Sequence, residues 1–212
     1  MQRRTILSLA LATVLGALSA PGFAALTEGK EYNKYPKAFP TDSGNKIEVI
    51  EFFSFGCPHC QSLEPHIQKW LAKLPPDVHF RRIPVVFNPS WEGFSKAYFT
   101  LENLGVENKL AHDVFNAIHV ENKKLNDAKV FLEWATAKGL DKDKVDGIYK
   151  SFTINSKLNR AKTLVQDYKI ESVPSVVVNG RFMTAPSKIS NGNDGFIDAL
   201  NQVIDLARKD KK

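Results

Sequence analysis

The stretch from Lys46 to Cys60 reads KIEVIEFFSFGCPHC and predicts a buried strand that leads directly into a helix. Positions 47–53 combine β-branched and aromatic residues in a nearly continuous apolar run, as expected for a strand covered on both faces. Apolar residues then recur at helical spacing, at Leu63, Ile67, Trp70, Leu71 and Leu74, before Pro75-Pro76. Pro65 is expected to kink this helix without ending it. Cys57 and Cys60 therefore open a helix.

The flanking segments extend this unit into an α/β layer. A second strand is expected over residues 78–87, and the helix between the two strands implies parallel pairing. Near the C-terminus, Asn179-Gly180 separates two strand-like runs, 173–178 and 181–183, which is typical of a two-residue hairpin turn. A last amphipathic helix is predicted over 194–208.

The middle of the chain has a different pattern, with about 60 residues that contain no strand signal. Helical spacing covers 91–104, 107–118, 127–138 and 142–152, and a further helix is expected over 156–168. We interpret residues 90–152 as a helical domain inserted into an α/β domain formed by 25–89 and 153–212.

Residues 1–24 have the pattern of a secretory signal peptide. Arg3 and Arg4 precede an uncharged apolar run, and small residues at Gly22 and Ala24 favour cleavage after Ala24. A membrane anchor is the alternative, but the run is shorter than the roughly 20 apolar residues that span a bilayer. The arginine pair faintly resembles a twin-arginine signal, although we favour the general secretory route. The mature protein is expected to be exported and soluble.

Composition and charge exclude several classes of protein and of function. A hydrophobic content of 43% fits a packed globular protein and excludes the disordered and collagen-like classes. Removal of the two arginines of the signal peptide would lower the formal charge from +6 to +4. This mild, dispersed charge gives no reason to expect nucleic-acid binding.

Cys57 and Cys60 are the only cysteines in the chain, and their spacing favours a redox-active pair over a disulfide that stabilises the fold. A bond across two residues closes a loop too short to stabilise the fold appreciably. At a helix start, unpaired N–H groups and the helix dipole stabilise a Cys57 thiolate, and Pro58 suits the first helical position. A protonated His59 would add positive charge. We therefore expect Cys57 to be the nucleophile, Cys60 the resolving thiol, and the disulfide an oxidant.

Other interpretations of the pair remain open. Half of a zinc site is one, but tetrahedral zinc needs four ligands, and only histidines such as His59 and His66 accompany the cysteines. A purely structural disulfide is another. We assign no role to His66, and we expect the dithiol chemistry to need no metal and no other cofactor.

Two further positions are candidates for a supporting role. Glu51 is the odd residue in an apolar strand, and a carboxyl buried there would have a raised pKa and could relay protons; a strand-edge glutamate in solvent is the alternative. Val173-Pro174 precedes a strand, where a cis bond would form a tight turn, although an arbitrary X-Pro bond is usually trans.

The run from Glu51 to Cys60, with Val173-Pro174 before a late strand, resembles the DsbA family of periplasmic oxidases. The similarity includes the signal peptide, the helical block and the closing hairpin and helix, and it implies a thioredoxin-like fold with an inserted all-helical domain. It also implies an exposed nucleophile at Cys57, a cis-proline at Pro174 facing the disulfide, backbone hydrogen bonds from Val173 to an extended substrate, and a buried acid at Glu51. Family members with a second cysteine pair differ from this chain, which has none.

The resemblance implies an activity and partners. Oxidised protein would accept an unfolded exported polypeptide, form a mixed disulfide at Cys57 and leave reduced; a DsbB-like membrane quinone reductase would reoxidise it. The protein is expected to be a monomer. The rivals are a disulfide isomerase or reductase of the same fold, a non-catalytic peptide-binding module, and a glutathione-dependent transferase, which usually lacks a dithiol pair.

Overall fold

The computed structural model describes residues 25–211. Its strands are β1 (Tyr32–Lys34), β2 (Ile47–Phe53), β3 (Val78–Pro84), β4 (Ser175–Val178) and β5 (Phe182–Thr184). Its α-helices are α1 (Pro58–Leu71), α2 (Glu92–Asn103), α3 (Glu107–His119), α4 (Ala128–Ala137), α5 (Lys142–Tyr149), α6 (Phe152–Asp167) and α7 (Gly192–Asp210). The expected signal peptide lies outside the described residues.

The five strands form one mixed sheet in the order β1-β5-β4-β2-β3. Strands β2 and β3 are parallel, as predicted from the helix that joins them, whereas β4 runs antiparallel to β2 and pairs with β5. Asn179 and Gly180 connect β4 to β5 with φ of 51° and 61°, which confirms the predicted hairpin turn. Every residue of the interior strand β2 is buried, although β4, and not β2 as the sequence suggested, is the middle strand of the five.

The sheet is covered on both faces. On one face, Ile47 and Val49 pack with apolar residues of α1 and α7. On the other face, Ile50 and Phe52 belong to a cluster of buried side chains that continues into the helices of residues 90–152, which we call the helical segment. The sheet and the helical segment therefore share one continuous core on this face. Phe53, at the end of β2, contacts the Tyr98 ring of α2 with 5.1 Å between centroids. This aromatic packing holds the helical segment against the end of the strand that leads to the cysteines.

The helical segment matches the prediction, with corrections at its end. Helix α5 stops at Tyr149 instead of 152, and the next helix starts at Phe152 instead of Ser156. The hydroxyl of Ser151 accepts from the N–H of Ile154 at 3.4 Å, and this N-cap marks the true start of α6. Residues 90–152 contain no strand, and their division from the rest as an inserted domain stays a prediction.

Other expectations differ at element ends. Helix α1 continues through Pro65 but ends at Leu71, before the two prolines, and β3 ends at Pro84 instead of 87. Strand β1 was not predicted, because three residues with no apolar alternation give no strand signal. Among residues 25–211, no helix is both long and apolar enough to cross a membrane.

Candidate active site

The cysteines lie where β2 passes into α1. Cys57 is the N-cap of α1, with φ of −96° and ψ of 117°, and Pro58 occupies the first helical position. The Cys57 N–H donates to the Ser54 carbonyl at 3.0 Å, which closes a turn between strand and helix. Both cysteines are thiols here. The helix start predicted for them is confirmed.

Cys57 is less exposed than the resemblance implies. Only 5% of its surface is accessible, while Pro58 and His59 beside it are exposed. The segment that contains Val173 covers the sulfur: the Val173 carbonyl accepts a hydrogen bond from the Cys57 thiol at 3.5 Å. Antiparallel pairing aligns Phe52 with Ser175, so the residues just before β4 meet the loop just after β2. The peptide bond between Val173 and Pro174 is cis, as the resemblance implies.

The surroundings of Cys57 favour its thiolate. A hydrogen bond from the Cys60 thiol, with smaller contributions from the N–H groups of Cys60 and His59 and the charge of His59, lowers the pKa of Cys57 from 9.0 to about 6, against the opposing effect of burial. A thiolate with this pKa predominates at neutral pH. It is both a reactive nucleophile and a good leaving group.

Cys60 has the opposite properties. It is fully buried, and burial, the hydrogen bond to Cys57 and the negative charges of Cys57 and Glu51 raise its pKa well above the ordinary value. The shared hydrogen bond therefore acts in both directions: it stabilises the charge on Cys57 and holds the proton on Cys60. The two thiols are chemically distinct although only two residues separate them.

Beneath the cysteines lies a buried ionic network that the sequence did not reveal. Glu51 is 2% exposed, so it does not reach solvent, and parallel pairing places Arg82 of β3 beside it. Arg82 Nε donates to Glu51 at 2.8 Å, and Nη2 donates to Glu64 of α1 at 2.6 Å. The Glu51 carboxylate, for which the sequence identified no partner, thus has a cation partner.

The charges of this network depend on one another. Burial opposes the charged form of Arg82, but Glu51 and Glu64 together raise the pKa of its guanidinium. Burial raises the pKa of Glu64, although Arg82 works in the opposite direction. The guanidinium also lies 5.6 Å and 5.3 Å from the ring centroids of Phe53 and Phe80. In the sequence, Arg82 stands out only as a charged residue in a predicted strand of mixed polarity. Its partners can be identified only once the register of the strands is known.

A groove of about 500 Å³ opens beside the cysteines. We call it the active-site groove; its walls include His59, Val173, Pro174, Pro186, Ser187 and Asn193. Three residues predicted to support the chemistry therefore lie on one surface, whereas Glu51 lies below it in the core. Within residues 25–211, His, Cys, Asp and Glu side chains form no group of three or more that could hold a metal ion.

Comparison with known proteins agrees with this geometry. Residues 91–202 match the model of the DSBA-like thioredoxin domain. The thiol:disulfide interchange protein DsbA of Pseudomonas aeruginosa is 41% identical over 179 residues, which cover 82% of this chain and 85% of the relative. That of Bordetella pertussis is 35% identical over 99% of this chain and 100% of the relative.

Solved structures give the same result. The crystal structure of Pseudomonas aeruginosa DsbA superposes with a TM-score of 0.83 at 38% identity, over 88% of this chain and 97% of the other. The reduced DsbA1 of Neisseria meningitidis, at 23% identity and a TM-score of 0.77, shares the fold. The predicted thioredoxin-like fold with a helical insert is confirmed, and the chain belongs to the DsbA family.

Proposed function

We propose that this protein is a periplasmic thiol-disulfide oxidase that donates its Cys57–Cys60 disulfide to exported, folding polypeptides. The observation that carries the proposal is the asymmetry of the two thiols: Cys57 has a pKa of about 6 and Cys60 a pKa well above the ordinary value. Because a stabilised thiolate favours the reduced protein, the corresponding disulfide is a strong oxidant. The relatives named thiol:disulfide interchange protein support the same activity.

The reaction follows from this asymmetry. A substrate thiolate attacks the sulfur of Cys57, a mixed disulfide forms, and the Cys57–Cys60 bond breaks. The leaving sulfur of Cys60 takes up a proton, because burial disfavours its charge. A second substrate thiolate then attacks the substrate sulfur of the mixed disulfide and expels Cys57 as a thiolate. The substrate loses two electrons and two protons; the enzyme gains both electrons and one proton, which Cys60 holds, and the second proton passes to solvent because Cys57 leaves as a thiolate.

The active-site groove would hold the substrate during these steps. The Val173 carbonyl accepts a hydrogen bond from the Cys57 thiol only while that thiol keeps its proton. In the disulfide or the mixed disulfide the carbonyl is available to an N–H of an extended polypeptide, as in strand addition at a sheet edge. Pro174 and His59 line the same groove and would contact the substrate beside the sulfur. Substrate recognition would therefore depend on backbone contacts more than on side chains.

The cellular setting forms part of the proposal. We place the protein in the periplasm as a monomer of residues 25–212, released from its signal peptide after Ala24. A DsbB-like membrane quinone reductase would restore the disulfide after each turnover. Residues 25–89 and 153–212 would form the thioredoxin-like domain and 90–152 the inserted helical domain. Glu51 would assist proton transfer to and from the buried Cys60, whose pKa it raises.

A redox titration in glutathione buffers tests the oxidase activity. Tryptophan fluorescence and alkylation with a mass readout would follow the Cys57–Cys60 pair in protein lacking residues 1–24. Reduction even by weakly reducing mixtures is expected. A pair that stays oxidised until conditions are strongly reducing would instead support a reductase or a structural bond.

Trapping of the intermediate tests the assigned roles. Cys60→Ser should accumulate a mixed disulfide with an unfolded polypeptide whose single cysteine is supplied as its mixed disulfide with glutathione. The Cys57 thiolate attacks the polypeptide sulfur, glutathione leaves as a thiolate, and neither Cys60 nor a second substrate thiol remains to break the new bond. Cys57→Ser is the matched control and should trap nothing. Equal trapping by both variants, or by neither, would contradict the proposed division of roles. A binding module without redox activity would tolerate both changes without loss of function.

A further inference from the structure

In the turn that ends at Cys57, one peptide bond has both its carbonyl and its N–H group hydrogen-bonded to side chains. Residues Ser54 to Cys57 form this turn, so the peptide between Phe55 and Gly56 lies at its centre. The carbonyl of Phe55 lies 2.7 Å from Nε2 of His119, and the N–H of Gly56 donates to the Ser54 hydroxyl at 3.1 Å. Two hydrogen bonds therefore fix the plane of a single peptide next to the nucleophile.

His119 comes from the helical segment, far from the cysteines in sequence. It is the last residue of α3, and its ring stacks on Phe115 with centroids 6.1 Å apart. Phe115 in turn packs against the buried Phe55 ring at 5.1 Å. Because a carbonyl oxygen only accepts hydrogen bonds, Nε2 of His119 must carry the proton. The ring is thus placed by packing and acts as a donor.

The peptide has a reason to need this restraint. Gly56 occupies the third position of the turn, and its φ lies outside the left-handed region. Glycine adopts positive φ about as readily as negative φ, so rotation of the central peptide would convert the turn to the type that requires positive φ at little cost. A larger residue does not fit, because an added Cβ would lie 2.7 Å from the Phe94 ring. Packing therefore requires a glycine at position 56, and the conformational freedom of glycine gives the turn two accessible conformations.

We infer that His119 is a positioning residue for the thiol chemistry, holding the Phe55–Gly56 peptide in the one conformation that places Cys57 at the start of α1. The Cys57 N–H is bound within this turn. Rotation of the central peptide would move the sulfur relative to the N–H groups of His59 and Cys60, which stabilise its charge. The inference rests on the proposed function, because it assumes that Cys57 is the reacting thiol. It gives the helical segment a part in the chemistry as well as in the fold.

Two substitutions at one position separate the hydrogen bond from the packing. His119→Gln keeps an N–H donor near the position of Nε2, whereas His119→Leu keeps bulk and removes the donor. His112→Leu is a matched control, because His112 lies on the same helix and is exposed. The measurements are the rate of Cys57 alkylation against pH in the reduced protein and the equilibrium with glutathione, with urea unfolding recorded for each variant.

His119→Leu is expected to raise the pH midpoint of alkylation by about half a unit and to weaken the oxidant by about threefold. His119→Gln and His112→Leu should both match the wild type. A His119→Leu profile that superposes on the wild type, with only the unfolding midpoint lowered, would overturn the inference; so would a His119→Gln protein that behaves like the leucine variant. Failure of the proposed function would appear differently, as an ordinary midpoint near pH 9 in the wild type itself.

Discussion

Reduced protein is expected to become more stable as the pH rises from 5 to 8, because Cys57 ionises more readily in the folded state. Its pKa falls from 9.0 to about 6 on folding. A group with a lowered pKa contributes its full stabilisation above the unfolded value and loses it as the pH falls through the folded value. The thiolate should thus contribute about 2.5 kcal/mol to the free energy of unfolding at pH 8, about 1.5 kcal/mol at pH 7 and almost nothing at pH 5.

The assay is urea unfolding of the reduced protein at these three pH values, followed by circular dichroism in excess phosphine reductant. Cys57→Ser is the matched control, since a serine hydroxyl does not ionise in this range. The difference between the two proteins isolates the thiolate, because every other titrating group contributes to both. Cys60 should add little, since its raised pKa keeps it protonated when folded and it ionises near 9.0 when unfolded.

The outcome that would refute this reasoning is a constant difference between wild type and Cys57→Ser from pH 5 to 8. Such a result would mean that folding does not stabilise the Cys57 thiolate, and the argument for an oxidising disulfide would lose its basis. Oxidised protein supplies an internal check, because its sulfur cannot ionise. Its stability should follow that of the serine variant in shape across the whole range.

Three further perturbations test other parts of the site. Gly56→Ala should lower the free energy of unfolding by about 1–3 kcal/mol, because the new Cβ would lie 2.7 Å from an aromatic ring of α2. Gly147→Ala in α5 is the control: an added Cβ meets nothing within 4 Å there, so this change should raise the free energy of unfolding by about 0.5–1 kcal/mol in the same urea assay. Arg82→Met should destabilise the protein by about 3–5 kcal/mol at pH 7 and by less at pH 5, because two buried carboxylates lose their cation; equal losses at both pH values would contradict this account. In Cys57→Ser, Cys60 should resist iodoacetamide at pH 8 until urea unfolds the protein, as mass spectrometry would record, since it is fully buried; rapid labelling of the folded variant would be inconsistent with that burial.

Local patterns were enough to predict the elements that bear the chemistry. The apolar run of β2, the proline after Cys57 and the Asn179-Gly180 turn each have a physical meaning within a few residues, and the structure places all three as expected. Element ends were less certain where signals overlapped. Phe152 fits the apolar spacing of α5, yet Ser151 caps the next helix, and the two interpretations differ only by which hydrogen bonds form.

Contacts between distant segments were beyond the reach of these patterns. Arg82 could be recognised as a partner of Glu51 only once the register of β2 against β3 was known, because a shift by one residue would turn it to the other face. Without that register, Glu51 had to be treated as an isolated acid. The same limit applied to His119, which lies 64 residues from the carbonyl that it binds.

The spacing of the two cysteines therefore specifies less than the chemistry requires. A pair separated by two residues would have the same sequence signature in a structural bond, and only the surroundings lower the pKa of one thiol and raise that of the other. Those surroundings come from separate parts of the chain: the segment just before β4 brings the Val173 carbonyl to the sulfur of Cys57, β2 brings Glu51, whose charge raises the pKa of Cys60, and α3 brings His119 to the turn. The polarity of the dithiol is thus a property of the folded domain, and changes far from the motif should alter the redox equilibrium while leaving both cysteines in place.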